Sequence, residues 1–168
     1  MKVKEYMSRI AKIPINRIAY VDECGIDKYI YREYGWSSRG EKIYGVISGR
    51  KYKRVVIVAA QIDKEIVAPL QYDGAMDSIL FETWFVERLL PSLPEMTVIV
   101  MDNATFHRKR KLFSLVQSTT HEIIFLPPYS PELNRIENFW SWLKRRLKKV
   151  FANFDSLDDA ISDTFQLI

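Results

Sequence analysis

Three acidic residues, Asp22, Asp102 and Glu137, stand where a carboxylate is either costly or chemically useful. Asp22 lies in the apolar run 17–24, RIAYVDEC, which reads as a strand. A carboxylate with apolar neighbours on both sides is expensive to bury unless it is paired or binds metal, so Asp22 is salt-bridged, metal-bound or turned to water at the strand end. Glu23 points to the opposite face by strand alternation and reads as structural. Asp102 closes the unbroken apolar run 97–101, TVIVM, the mark of a strand buried between helices. Ligands of layered α/β sheets collect at the carboxyl ends of strands, so an acid there is better placed for chemistry than for packing.

Glu137 belongs to the stretch 127–149, PPYSPELNRIENFWSWLKRRLKK. Proline is tolerated in the first turn of a helix and not in its interior, so the helix is predicted to begin near Pro131 or Glu132 with Ser130 as its N-cap. Leu133, Ile136, Trp140, Leu143, Leu147 and Val150 then recur at spacings of three and four, an apolar stripe facing the core. Ser141, Lys144 and Lys148 follow Glu137 along the neighbouring flank. Taken alone, that flank reads as an ordinary solvated helix side; only partners elsewhere give it another purpose.

The elements that must position these acids follow from the rest of the chain. Its 168 residues, 48% hydrophobic and 27% charged, suit one globular domain, expected over 15–168 and preceded by a leader or linker remnant at 1–14. No apolar run is long enough for a membrane span and the N-terminus lacks a signal-peptide block, which predicts a cytoplasmic protein. The lone Cys24 reads as a small packed hydrophobe. A hairpin turn is expected at Gly25–Lys28, with strands at 29–34, 42–48, 54–61 and 66–71. Helical recurrence follows over Met76–Leu90, with Asp77 near its start. A basic helix is expected at 106–117, a last strand at 122–126 and a closing helix at 155–168, capped by Asp155 or Ser156. Net charge is +4, unevenly spread: residues 106–149 hold ten Lys or Arg against three acids. A polyanion such as nucleic acid is the simplest partner for that half.

Between Asp102 and Glu137 lie 34 residues. With MDNATFH at 101–107 and PPYSPELNRIENFWSWLK at 127–144, this spacing resembles the catalytic domain of mariner-like DDE transposases, in particular their bacterial insertion-sequence branch. The resemblance runs from about Ile18 to Val150. It implies an α/β, ribonuclease H-like fold: a five-stranded mixed sheet, three antiparallel strands then two parallel, flanked by helices. Asp22 and Asp102 would sit on adjacent strands and Glu137 would lie over them from its helix.

The implied chemistry suits these residue types. In-line cleavage of a phosphodiester needs an activated oxygen nucleophile and a stabilised leaving oxygen, which two Mg²⁺ or Mn²⁺ ions held by carboxylates supply. Asp22, Asp102 and Glu137 are thus the expected catalytic and metal-binding residues, with water as nucleophile for end cleavage and the freed 3′-hydroxyl for strand transfer. Lys144, Lys148, Arg145, Arg146 and Arg39 are candidates to hold the DNA backbone, with Trp36 beside Arg39 along its path. Asn103 and His107 would orient substrate or a nearby water, although capping or packing would also account for His107. Trp140 and Trp142 should include at least one core residue. The resemblance also implies double-stranded DNA as partner, a homodimer in the active complex, and a helix-turn-helix module absent from this chain and supplied separately. Two other readings stay open: a structure-selective nuclease of the same fold, and an inactivated DNA-binding or partner module.

Overall fold

In a computed structural model, residues 3–27, 38–41 and 54–167 are described. The strands expected at 29–34 and 42–48, and Trp36, lie outside them. Five strands form one sheet: β1 (Ile18–Asp27), β2 (Arg54–Ile62), β3 (Glu65–Asp73), β4 (Val98–Met101) and β5 (Glu122–Phe125). Their order is β3-β2-β1-β4-β5. β1 pairs antiparallel with β2, and β2 with β3, whereas β1–β4 and β4–β5 are parallel. This is the expected mixed sheet, three antiparallel strands followed by two parallel ones.

Alternation along the strands sorts the interior into two layers. Ile18, Tyr20 and Cys24 of β1, with Val98 and Val100 of β4, face a cluster containing Ile136, Trp140, Leu143, Leu147 and Ile161. Ala19, Val21, Ile99 and Met101 face a second cluster containing Phe81, Trp84, Phe85 and Leu112. The helices are α1 (Val3–Ile10), α2 (Ser78–Trp84), α3 (Lys109–Val116), α4 (Ile136–Val150) and α5 (Leu157–Phe165). Helix α2 continues through a π-helical turn, Phe85–Leu89, into Leu90–Ser92. So α4 and α5 cover one face of the sheet, and α2 and α3 the other.

Several boundaries differ from expectation for physical reasons. Strand β1 does not turn at Gly25 but runs on to Asp27, with Gly25 opposite Val56. The Arg54 guanidinium lies where a β-carbon at Gly25 would stand, so glycine there leaves room for that side chain. Helix α4 starts at Ile136 and not at Pro131: Pro131–Leu133 is a single 3₁₀ turn, and Asn134 breaks the helix with an extended ψ of 104°. Ser130 makes no capping bond; its hydroxyl donates to the Pro128 carbonyl, 3.3 Å. Phe106 and His107 precede α3, which begins at Lys109. The leader segment contains α1, whose Tyr6 is 1% exposed in the same layer as Tyr20. At the other end Ser156 caps α5 as expected, accepting from Asp159 N at 3.1 Å. Cys24 is a buried free thiol, and among the described residues no helix is long and apolar enough to cross a membrane.

Candidate active site

The two aspartates are brought together by strand register. Ile18 pairs with Val98, Ala19 with Ile99 and Tyr20 with Val100. Carried two residues further, the same offset sets Asp22 beside Asp102 on the face covered by α4, at the carboxyl end of β4. Neighbouring strands are about 4.8 Å apart, so the two carboxyl groups need only a small spacing between them. Both line a cavity of about 160 Å³, shared with Val21, Glu23, Phe106 and His107.

Asp22 is held in place by the helix that carries the third acid. The Trp140 indole N–H donates to Asp22 Oδ2 at 3.1 Å. Trp140 lies one turn after Glu137, so the two project from the same side of α4. Burial pushes the Asp22 carboxyl from 3.8 up to about 7, with hydrogen bonds from the Glu23 backbone and Trp140 pulling it down and the charges of Glu137 and Asp102 adding to the rise. A half-buried carboxylate crowded by two others is a group whose ionised form needs a cation.

Asp102 is oriented from its own loop. Its Oδ1 accepts from Ala104 N at 3.0 Å. His107 Nδ1 stands 3.2 Å from the Asp102 carbonyl oxygen and 3.3 Å from its Oδ1. Two acceptors at Nδ1 place the proton there and leave Nε2 as an acceptor, buried without a partner. Burial lowers the pKa of His107, which keeps the ring neutral. The imidazole packs against Phe81 and Phe106, with centroids at 4.3 and 4.4 Å. Asn103 ties the tips of two strands together: its Nδ2 donates to the Leu126 carbonyl at 2.7 Å, and its Oδ1 accepts from Lys109. Arg108 grips Glu82 on α2 through two bonds of 2.7 and 2.5 Å, fixing the far end of the loop.

Glu137 is exposed in the first turn of α4 and does not line the cavity shared by Asp22 and Asp102. Among the described residues, no three His, Cys, Asp or Glu side chains are gathered tightly enough to hold an ion by themselves. The donor set nonetheless suits a hard divalent cation. It offers oxygen ligands only, two on adjacent strands and a third whose charge is felt at Asp22.

The cationic candidates divide. Lys144 approaches the buried Cys24 thiol, which burial pushes up to about 11 against the pull of that ammonium. It therefore stands next to β1 and close to the acids. Lys148 is exposed further along α4, and Arg145 donates to the Ser141 carbonyl at 3.2 Å. Arg146 is half-buried, and Arg39 is exposed in the short turn 38–41. Of the tryptophans, Trp140 is core, whereas Trp142 is 37% exposed and stacks on Phe139.

Two site residues escaped the sequence reading. Asn134, 3% exposed, donates from Nδ2 to the Val21 carbonyl at 3.2 Å and so pins the start of α4 to β1 beside Asp22. Glu23, assigned to the opposite face, lines the same cavity as the two aspartates. Burial raises its carboxyl to about 7; the Tyr72 hydroxyl offsets part of that rise but lies outside hydrogen-bond geometry, and the charge of Asp102 adds to it. Asn134 had a signal in its place between a proline turn and a helix, where side-chain amides commonly replace backbone partners.

A five-stranded mixed sheet in the order β3-β2-β1-β4-β5 with helices on both faces is a ribonuclease H-like fold, the fold of transposases and retroviral integrases. More particularly, the chain belongs to the DDE superfamily endonucleases, whose family profile matches residues 17–161. A 65-residue stretch is 37% identical to an uncharacterized protein, y4pE/y4sA, of Sinorhizobium fredii, covering 36% of this chain and 44% of that protein. Among solved structures, the Mos1 transposase paired-end complex with left transposon end aligns with a TM-score of 0.72 at 14% identity, over 98% of this chain and 51% of that one. The mariner Mos1 paired end complex with Mg aligns with a TM-score of 0.65 at 15% identity, over 97% and 57%. The chain spans about half the length of the Mos1 transposase that it matches.

Proposed function

We propose that this chain is the catalytic domain of a DNA transposase that cleaves transposon ends and joins them to target DNA by in-line phosphoryl transfer, without a covalent enzyme intermediate. The observation that carries the reading is the juxtaposition of Asp22 and Asp102 by the β1–β4 register, with the charge of Glu137 felt at Asp22. A pair of Mg²⁺ or Mn²⁺ ions would activate the attacking oxygen and stabilise the leaving one. Asp22, Asp102 and Glu137 would hold these ions through their carboxylate oxygens, with Glu137 entering from its exposed position in the first turn of α4. Trp140 holds Asp22 Oδ2 in place from the helix that bears Glu137. Ala104 N and His107 engage Asp102 Oδ1, and among the described residues no hydrogen bond is made to its Oδ2.

Around that centre, Lys144 and Lys148 on the flank of Glu137 would take backbone phosphates of double-stranded DNA, with Arg145, Arg146 and Arg39 extending the path. Asn103 acts through the loop it braces, and His107 through Asp102. Transposon ends are brought together in pairs, so the active complex would be a homodimer, with end recognition supplied by a helix-turn-helix module. The test is a strand-transfer assay with an end oligonucleotide and Mg²⁺. Joined products that vanish in Asp102→Asn support the reading; hydrolysis without joining would instead make the protein a nuclease of the same fold, and metal-independent binding alone would make it a DNA-binding module.

A further inference from the structure

Tyr129 is the most exposed large hydrophobic side chain described, at 101% of its reference area, and its backbone is left-handed, with φ of +56°. Left-handed backbone is strained for a bulky L-residue and persists only where the surroundings impose it. Here they do. Pro127 is buried, Ser130 is 7% exposed, and the Leu133 and Asn134 amides donate back to Ser130 and Pro131. On the upstream side, Leu126 is fixed by its N–H to the Met101 carbonyl at 2.8 Å and by Asn103. Downstream, Asn134 is anchored on Val21. The tip of a braced turn thus pushes an aromatic ring into water, and nothing else in the chain covers that ring among the described residues.

The ring's position narrows what would cover it. Tyr129 lines a cavity of about 490 Å³ that Asp102, Thr105, Leu126 and Pro131 also line. The cavity is wide enough for a nucleobase, is lined mostly by apolar groups and includes the Asp102 carboxylate, and all its lining residues lie in 102–131, which overlaps the basic stretch 106–149. A planar partner of a negatively charged strand meets both requirements. Aromatic side chains on such tracks stack on bases without regard to sequence, because every base has a π-face.

We infer that Tyr129 is a positioning residue that stacks on an unpaired base next to the phosphate held at Asp22 and Asp102. This inference rests on the reading of those acids as a DNA-cutting site. The imposed turn presets the ring, so little conformational freedom is lost when a base arrives.

The experiment places 2-aminopurine, whose fluorescence is quenched by stacking, in an unpaired position at the cleavage end of an oligonucleotide, and compares wild type, Tyr129→Ala and Tyr129→Phe. The expected result is quenching by wild type and Tyr129→Phe, its loss in Tyr129→Ala, and a rise of about tenfold in Kd and KM for that alanine variant with kcat little changed. Equal quenching by wild type and Tyr129→Ala, or no quenching by either, overturns the inference. The ring is fully exposed, so all three proteins should melt together; a lower Tm for Tyr129→Ala would make its role structural and overturn the inference as well. If quenching depends on Tyr129 while wild type neither cuts nor joins DNA, the stacking role stands and the transposase reading falls.

Discussion

Replacing Asp22 with asparagine should stabilise the metal-free protein while abolishing its chemistry. The Asp22 carboxyl moves from 3.8 to about 7 on folding. Because the folded value is the higher, the folded chain holds the proton more tightly between those limits, and wild type loses stability as pH climbs from about 4 through about 7. At 1.36 kcal/mol for each pH unit, the ceiling of that loss is about 4 kcal/mol. Partial exposure of the group and relaxation of the helix reduce it to about 2 kcal/mol. Asparagine removes the charge but keeps an oxygen to accept from Trp140. For a domain of this size about 2 kcal/mol corresponds to a rise of roughly 4–8 °C in Tm. The assay is thermal denaturation in EDTA across pH: Asp22→Asn should melt higher at about pH 8, and its advantage should fade as pH falls toward 4. Added Mg²⁺ should then raise the Tm of wild type at pH 8 and leave the variant unmoved. A variant no more stable than wild type at pH 8, or an advantage independent of pH, would refute the claim that Asp22 is strained by burial and by its acidic neighbours.

Three other outcomes follow from the same geometry. Trp140→Phe keeps the buried ring but removes a donor to an ionised carboxylate, so the pH at which cleavage switches on should rise by about one unit in a pH–rate profile. Asn134→Ala deletes a buried donor, leaves the Val21 carbonyl unsatisfied and frees the start of α4; it should cost about 1–3 kcal/mol in denaturant melts and depress cleavage further than that loss explains. Lys148→Ala should weaken DNA binding uniformly across sequences and reduce the slope of log K against log salt by about one in salt-titrated binding, with no change in Tm.

What the sequence made legible was whatever depends on period and chain order. The runs around Asp22 and Asp102 form neighbouring strands, and the stripe Ile136, Trp140, Leu143, Leu147 is buried as a period of 3.6 demands. Details set by contacts between distant segments were not legible. Gly25 resembles a turn residue in isolation, and only its pairing with Val56 of β2 shows that the strand continues. Ser130 has the chemistry of a cap, yet the prolines around it favour a 3₁₀ turn and move the helix start to Ile136. Trp140 looks like a core tryptophan and is one, but its N–H toward Asp22 spans 118 residues of chain. Glu23 obeys strand alternation, and it lines the cavity where β4 has ended at Met101 while β1 runs on to Asp27.

The parallel ladder between β1 and β4 also constrains how the chain can change length. Removing one residue from Val98–Met101 would turn Asp102 toward the α2 side of the sheet, and removing two would restore its direction but withdraw it by roughly 6.6 Å. Such deletions are all-or-none for the acid pair, whatever their effect on stability. The surface turn at 117–121 stands outside that ladder, so inserted residues there would leave Asp22 opposite Asp102.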